Sequence, residues 1–205
     1  MRHALALLLL LTTGLLAAWG TITEGGPVSP AGVEVTCDLP ASSGLRAKNV
    51  GGRDGSGLCV FTSIMHSARY QGERRLWDFQ QQMRSEPGGG YPGKVDQMIS
   101  KYAPGVGYLQ YEGGDPAILE AALATGRMPS VTYDGRDVHY RGKIAHMINL
   151  VYLDQNIACV LDNNFIGEEQ LIWLARDEFL SRWRGGGGGW AVVLLSPAPA
   201  PAPRH

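Results

Sequence analysis

The fold is decided by residues 55–65, with the sequence GSGLCVFTSIM, in which a glycine-rich loop ends at Cys59. Apolar residues then recur at spacings of three and four: Phe61, Ile64, Met65 and Ala68. Because this spacing places them on one face of a helix, we predict a helix that begins at or just before Cys59. The unpaired N–H groups at a helix start favour a thiolate over a thiol. Cys59 is therefore a candidate nucleophile, and a small buried residue is the alternative interpretation.

The rest of the chain divides into a helical and a strand-rich half. Three further helical patterns follow: residues 76–83, 95–102 and 118–123, the last after Asp115-Pro116. From Ser130 onward, β-branched and aromatic runs alternate with turn residues, at 131–133, 147–153, 157–161 and 190–195, with a helix near 176–184. Such runs are typical of strands. Helices followed by antiparallel strands predict an α+β fold, with the helical first half packed on an antiparallel sheet.

A cysteine nucleophile needs a base, and a histidine held by a third polar group is the usual solution. The chain has five histidines. Three are poorly placed, in the N-terminal apolar segment, in the C-terminal tail and two turns along the Cys59 helix: His3, His205 and His66. His146 opens a predicted strand and is the leading candidate, with His139 in the preceding charged loop as the alternative.

The strand that His146 opens turns at residues 154–156 and returns through 157–161 to Asp162-Asn163-Asn164. Because this hairpin reverses the chain, we predict that these polar side chains lie beside His146, where a carboxylate or an amide would fix the imidazole tautomer. Asp162 is the leading candidate for this role and Asn163 is the second. The alternative is an ordinary turn, since Asn and Asp favour turns by bonding their own backbone.

This order of residues resembles the papain-like cysteine peptidase clan, in which a helix-start Cys is followed by a strand-opening His and by an Asp or Asn after a hairpin. The chain is most similar to the bacterial double-glycine, bacteriocin-processing peptidases. In that family the acid follows the His by sixteen residues, as Asp162 follows His146. Residues 173–179 with Trp183 also resemble the family's segment before the last strand. Asn163 would be the third member of the triad if the chain is aligned with papain itself, because Asn163-Asn164-Phe165 resembles the Asn-Ser-Trp of papain.

The resemblance covers roughly residues 46–196 and implies a papain-like fold and a peptidase that forms an acyl-enzyme on Cys59. One departure concerns the oxyanion-hole glutamine, which the family places six residues before the cysteine. Arg53 stands there in this chain, and Asn49 is the nearest amide. Both are candidate oxyanion donors. Because oxyanion stabilisation is commonly the largest electrostatic contribution to acyl transfer, a weak or silent peptide-binding module is the alternative function.

The composition excludes some classes of partner. A chain of 205 residues with a formal net charge of −1 and 18% charged residues offers no broad basic field for nucleic acid. We expect a peptide or protein substrate and no cofactor. A metal hydrolase that uses Cys59, His139 and His146 is a third hypothesis, but the sequence has no metal-ligand spacing such as HxxxH or CxxC. The sequence does not indicate the natural substrate or the oligomeric state.

The N-terminal segment predicts export. Residues 1–20 combine Arg2, an apolar run over residues 4–18 and the small-x-small pattern Ala18-Trp19-Gly20, as in a signal peptide. An uncleaved membrane anchor is the alternative, and it would be the chain's one contact with a membrane. We predict a linker over 21–45, a domain over 46–196 and a Pro/Ala-rich tail over 197–205. Outside the cytoplasm, Cys37 and Cys159 could form a disulfide, although Cys159 also fits a buried strand.

Overall fold

The computed structural model describes residues 47–135, 140–165 and 171–195. Its helices are α1 (Cys59–Gln71), α2 (Phe79–Met83), α3 (Pro92–Tyr102), α4 (Ala117–Ala124) and α5 (Arg176–Gly185), with a 3₁₀ turn at Arg74–Leu76. Its strands are β1 (Tyr108–Tyr111), β2 (Ser130–Tyr133), β3 (His146–Leu153), β4 (Ile157–Leu161), β5 (Leu171–Ala175) and β6 (Ala191–Leu194). Helices packed on an antiparallel sheet confirm the predicted α+β fold.

The described strands form one sheet in the order β1-β6-β2-β3-β4-β5, and each neighbouring pair is antiparallel. Alternating side chains on a strand point to opposite faces. Met147 accordingly packs with the apolar residues of α1 to α3, whereas the adjacent Ile148 packs with those of α4 and α5. The sheet therefore has helices on both faces, and β3 lies between β2 and β4 in its interior.

The two strands that the sequence patterns did not predict, β1 and β5, are the two edges of the sheet. An edge strand is covered less completely than an interior strand, so its hydrophobic alternation is weaker. All four residues of β1 are half-buried, whereas all four of the interior strand β2 are buried. The weak pattern of β1 is thus a consequence of its position at the edge of the sheet, whereas the burial of β5 still alternates.

Helix α1 is buried on its polar side as well as its apolar side. The Asn149 side chain donates to the Ser63 carbonyl at 2.9 Å, and Ser63 Oγ donates to the Met147 carbonyl at 2.9 Å. His66 Nε2 accepts a hydrogen bond from the Ala47 N–H at 2.8 Å, so its Nδ1–H is the donor to Asn149 Oδ1 at 3.2 Å. Because buried polar groups require partners, these bonds fix α1 against β3. His66 is accounted for by this packing.

Residues 1–46, 136–139, 166–170 and 196–205 lie outside the described residues. The predictions of a signal peptide, a linker and a tail fall on these residues or on their boundaries, as does the prediction for His139. Within the described ranges, no helix has the length and apolar character that crossing a bilayer requires.

Candidate active site

Cys59 is the first residue of α1, and a closed loop holds it there. The Gly52 N–H donates to the Ser56 carbonyl at 2.8 Å, and the Leu58 N–H donates to the Val50 carbonyl at 3.0 Å. Gly55 has a φ of 82°, a left-handed conformation that glycine adopts without strain. The loop therefore closes on itself directly before the helix, and it leaves the Cys59 side chain half-buried at the helix N-terminus.

His146 and Asp162 meet across the β3–β4 hairpin. The hairpin turn is held by the Asp154 side chain, which accepts from the Asn156 and Ile157 N–H groups at 2.7 and 2.8 Å. At the other end of the hairpin, His146 Nε2 lies 2.8 Å from Asp162 Oδ1. Since Nε2 is engaged by this carboxylate, Nδ1 is the ring nitrogen available to the Cys59 thiol, with which His146 is hydrogen bonded. The structure thus brings these three side chains together.

The electrostatics of the site favour a charged pair. Burial raises the pKa of the Cys59 thiol, but the hydrogen bond and charge of His146, with the Met147 and Val60 N–H groups, bring it below its ordinary value. Burial lowers the pKa of His146, but the Asp162 carboxylate and the Cys59 sulfur together raise it to about 9. Both shifts favour the thiolate–imidazolium form of the pair over the neutral thiol–imidazole form.

Tyr140 is a residue of the site that the sequence patterns did not predict. Its hydroxyl donates to Asp162 Oδ2 at 2.7 Å, and it accepts from the Asn164 side-chain amide at 2.9 Å. The Asn164 N–H also donates to Asp162 Oδ1 at 2.9 Å. Both carboxylate oxygens of the buried Asp162 are therefore held. No signal in the sequence singles out Tyr140, because it lies in a polar loop without periodicity.

Asn163 has a different place from the one that the papain alignment gives it. Its side-chain amide donates to the carbonyls of Cys59 and Met147, at 3.2 and 2.9 Å, and to Ser63 Oγ at 2.9 Å. Cys59 begins α1, and Met147 follows His146 on β3. Asn163 therefore joins the backbone of the nucleophile helix to the backbone of the histidine strand, while Asp162 holds the imidazole.

We expect Asn163→Ala to lower the free energy of unfolding by about 2 kcal/mol, because the hydrogen bonds from its buried side-chain amide to Cys59, Ser63 and Met147 are lost. Urea denaturation followed by circular dichroism measures this loss. Asn164→Ala is a matched control at a half-buried position and should cost less. An Asn163→Ala protein of wild-type stability would contradict the assigned role.

The two predicted oxyanion donors, Arg53 and Asn49, lie in the segment before α1. The Gly55 N–H donates to the Gly52 carbonyl at 3.0 Å, which makes Arg53 a central residue of a tight turn and exposes it at the tip. The Asn49 side chain donates to Asn164 Oδ1 at 3.0 Å and so points toward the residues behind the carboxylate. Neither residue lines the cleft described below.

The remaining candidates from the sequence are Cys37, Cys159, His139 and a metal site. Cys159 is fully buried on β4, whereas Cys37 lies outside the described residues, so the disulfide stays a prediction. His139 also lies outside them. In the part of the chain that the structure describes, no group of three or more His, Cys, Asp or Glu side chains could hold a metal ion.

Cys59 and His146 open into a cleft of about 530 Å³. One wall comes from the loop before α1 and from the segment that leads into α3: Ser56, Gly57, Val60, Gly89, Gly90, Tyr91 and Pro92. The facing wall comes from the sheet and its loops: Glu112, Thr132, Ala145, Met147, Gly186, Gly187 and Trp190. A Cβ on Gly90 would lie 2.3 Å from Val60 Cβ, so glycine is required where the first wall meets α1.

Comparison with known proteins gives likenesses among solved structures only. No family model matches the chain, and no curated protein matches it. Among solved structures, a candidate C39-like peptidase from Bacillus anthracis is similar at 16% sequence identity and a TM-score of 0.48. The match covers 69% of this chain and 90% of that one.

Proposed function

We propose that this protein is a cysteine peptidase, or an amidase or transpeptidase with the same chemistry, that acts on a peptide or protein. The observation that carries the proposal is the contact of Cys59, at a helix start, with His146, which Asp162 holds at 2.8 Å. A thiolate nucleophile, a base and an orienting acid that face one cleft are what acyl transfer through a thioester requires.

In the proposed reaction, the Cys59 thiolate attacks the carbonyl carbon of the scissile bond. The His146 imidazolium then protonates the leaving amine as the carbon–nitrogen bond breaks and a thioester remains. Next, neutral His146 takes a proton from water, or from an acceptor amine in a transpeptidase, and the thioester is cleaved. Asp162 stabilises the imidazolium and keeps its ring aligned, and it does not take up the proton.

The oxyanion of the tetrahedral intermediate needs donors near Cys59. As the first residue of α1, Cys59 has an N–H without an acceptor in its own helix. The adjacent loop supplies Gly57 and the Ser56 side chain to the same cleft. We propose that these groups replace the side-chain amide of the resembling family, because Arg53 is exposed and does not line the cleft.

Two measurements test the proposed function. Alkylation of Cys59 by iodoacetamide at pH 6 should be fast, because an activated thiolate reacts where an ordinary thiol hardly does. A panel of peptide electrophiles should then trap an acyl-enzyme, which mass spectrometry locates on Cys59. An unreactive Cys59 at pH 6 would refute the peptidase assignment.

A catalytically silent peptide-binding module is the second candidate, and the position of Arg53 favours it. Loss of one oxyanion donor costs on the order of 10²–10³ in rate in another hydrolase. Such a protein would be alkylated at pH 6 but would accumulate no acyl-enzyme with any peptide. The two measurements above therefore separate the two candidates.

We expect Arg53→Ala to leave the reactivity of Cys59 unchanged. Arg53 is exposed at the tip of its turn, where solvent screens its charge from the thiolate. Alkylation rates measured from pH 4 to pH 9 should superimpose for the wild type and the variant. A fall in labelling at low pH in Arg53→Ala would instead show that the guanidinium serves the site.

We further propose that the chain is a distant relative of the double-glycine peptidases and that it works outside the cytoplasm. The sixteen-residue separation of His146 and Asp162 supports the first proposal. The apolar run over residues 4–18 supports the second. N-terminal sequencing of the mature protein tests export, because signal cleavage would place the new N-terminus near residue 21, and an intact Met1 would indicate an anchor.

A further inference from the structure

One end of the cleft lies beside β1, where Gln110 connects its two walls. The Trp190 indole N–H donates to Gln110 Oε1 at 3.0 Å, and Gln110 Nε2 donates to the Pro92 carbonyl at 3.0 Å. Trp190 and Pro92 lie on opposite walls of the cleft. Glu112 follows two residues after Gln110 and also lines the cleft. Because alternate side chains of an extended chain share a face, Glu112 belongs to this end.

Glu112 sets the charge of the cleft. Among the described residues that line it, Glu112 is the one carboxylate, and it shares the cleft with Cys59 and His146. The Cys59–His146 pair has no net charge either as thiolate with imidazolium or as thiol with imidazole, so the carboxylate leaves the cleft lining with a net negative charge. Glu112 is exposed, so its charge is available to a ligand.

Tyr91 adds an aromatic surface at the same end. It precedes Pro92, the first residue of α3, and 59% of its surface is accessible although it lines the cleft. Aromatic faces attract cations. On the opposite wall, Gly186 and Gly187 carry no side chains that would block the approach of a long substrate residue.

We propose that this end of the cleft, formed by Tyr91, Glu112 and Trp190, is a subsite for a positively charged nitrogen of the substrate. The inference rests on the proposed function, since it assigns a substrate feature to the same cleft. The cation has two chemical sources: the side chain of a lysine or arginine near the scissile bond, or the free α-amino group of a peptide.

The charge of the cleft can be measured without a known substrate. Methanethiosulfonates carrying a trimethylammonium, a sulfonate or an uncharged methyl group all form a mixed disulfide with the same thiolate and release methanesulfinate. We expect the cationic reagent to modify Cys59 about three- to tenfold faster than the anionic reagent, after division by their rates with 2-mercaptoethanol. In Glu112→Gln, this ratio should fall toward one, and high salt should reduce it in the wild type.

Asp177→Asn is the control, because Asp177 is exposed on α5 and does not line the cleft. It should keep the wild-type ratio. A wild-type ratio of one, or an equal fall in both variants, would overturn the proposed subsite. Circular dichroism checks that the Glu112→Gln protein is folded.

Competition with short peptides then distinguishes the two sources of the cation. N-acetylated Gly-Lys-Gly amide carries a side-chain cation, unblocked Gly-Gly-Gly amide carries an α-amino cation, and N-acetylated Gly-Gln-Gly amide is the uncharged reference. We expect one or both of the charged peptides to slow modification of Cys59 by the neutral reagent more than the uncharged peptide does. The Glu112→Gln protein should lose that difference. Equal protection by all three peptides would overturn the subsite. A charge preference without acyl-enzyme formation would refute the proposed peptidase function and leave the subsite intact.

Discussion

Cys59→Ala is expected to abolish hydrolysis and covalent labelling while the protein keeps its fold. Removing the nucleophile of a catalytic triad costs about six orders of magnitude in another hydrolase. The substitution should cost little stability, because Cys59 is half-buried at the start of α1. His146→Ala should also abolish turnover, since the thiolate would lose its charged partner and the leaving amine its proton donor.

Peptide cleavage, iodoacetamide labelling and circular dichroism check this prediction together. Cys159→Ala is the matched control, because Cys159 is fully buried on β4 and does not line the cleft. It should keep full labelling at pH 6 with a small loss of stability. Undiminished cleavage by Cys59→Ala would refute the assignment of the nucleophile.

Asp162→Asn should have the next largest effect, a fall in kcat/KM of up to about 10⁴-fold, by analogy with the same substitution in a serine protease triad. The carboxylate raises the pKa of His146 to about 9. A group with a raised pKa keeps its proton until the pH rises through that value, so wild-type activity should decline near pH 9. In Asp162→Asn, the decline should begin at lower pH.

The pH dependence of kcat/KM and of Cys59 alkylation measures this shift. Tyr140→Phe should produce a smaller loss of about three- to tenfold, since one hydrogen bond to the carboxylate is removed. Tyr152→Phe is its control, because that hydroxyl donates to Asp154 at the opposite end of the hairpin. If kcat/KM of Asp162→Asn declined at the same high pH as that of the wild type, Asp162 would not act on His146.

The sequence was sufficient to predict the fold class and the meeting of His146 with Asp162, because both depend on regular patterns. Helical spacing placed Cys59 at the start of α1. Two apolar runs joined by a turn predicted a hairpin, and a hairpin brings its two open ends together. The roles of these residues in catalysis stay predictions until the variants are measured.

The parts that could not be predicted depend on loop conformation. Whether Arg53 faces the cleft is decided by the turn between Gly52 and Gly55, and the spacing from Cys59 contains no information about that turn. Tyr140 reaches Asp162 from a loop 22 residues earlier in the chain, without any periodicity. Loops follow local hydrogen bonds, whereas helices and interior strands follow the hydrophobic pattern.

The hydrogen bond from Asn163 to the Cys59 carbonyl joins residues 104 positions apart in the chain. Contacts of such long range form late, because the entropy of closing the intervening loop must first be overcome. We therefore expect the nucleophile to acquire its partners when the two halves of the chain dock, and not when α1 forms. We expect the rapid alkylation of Cys59 at pH 6 to appear during refolding only with the final cooperative phase. The rate of that reaction would then report when folding is complete.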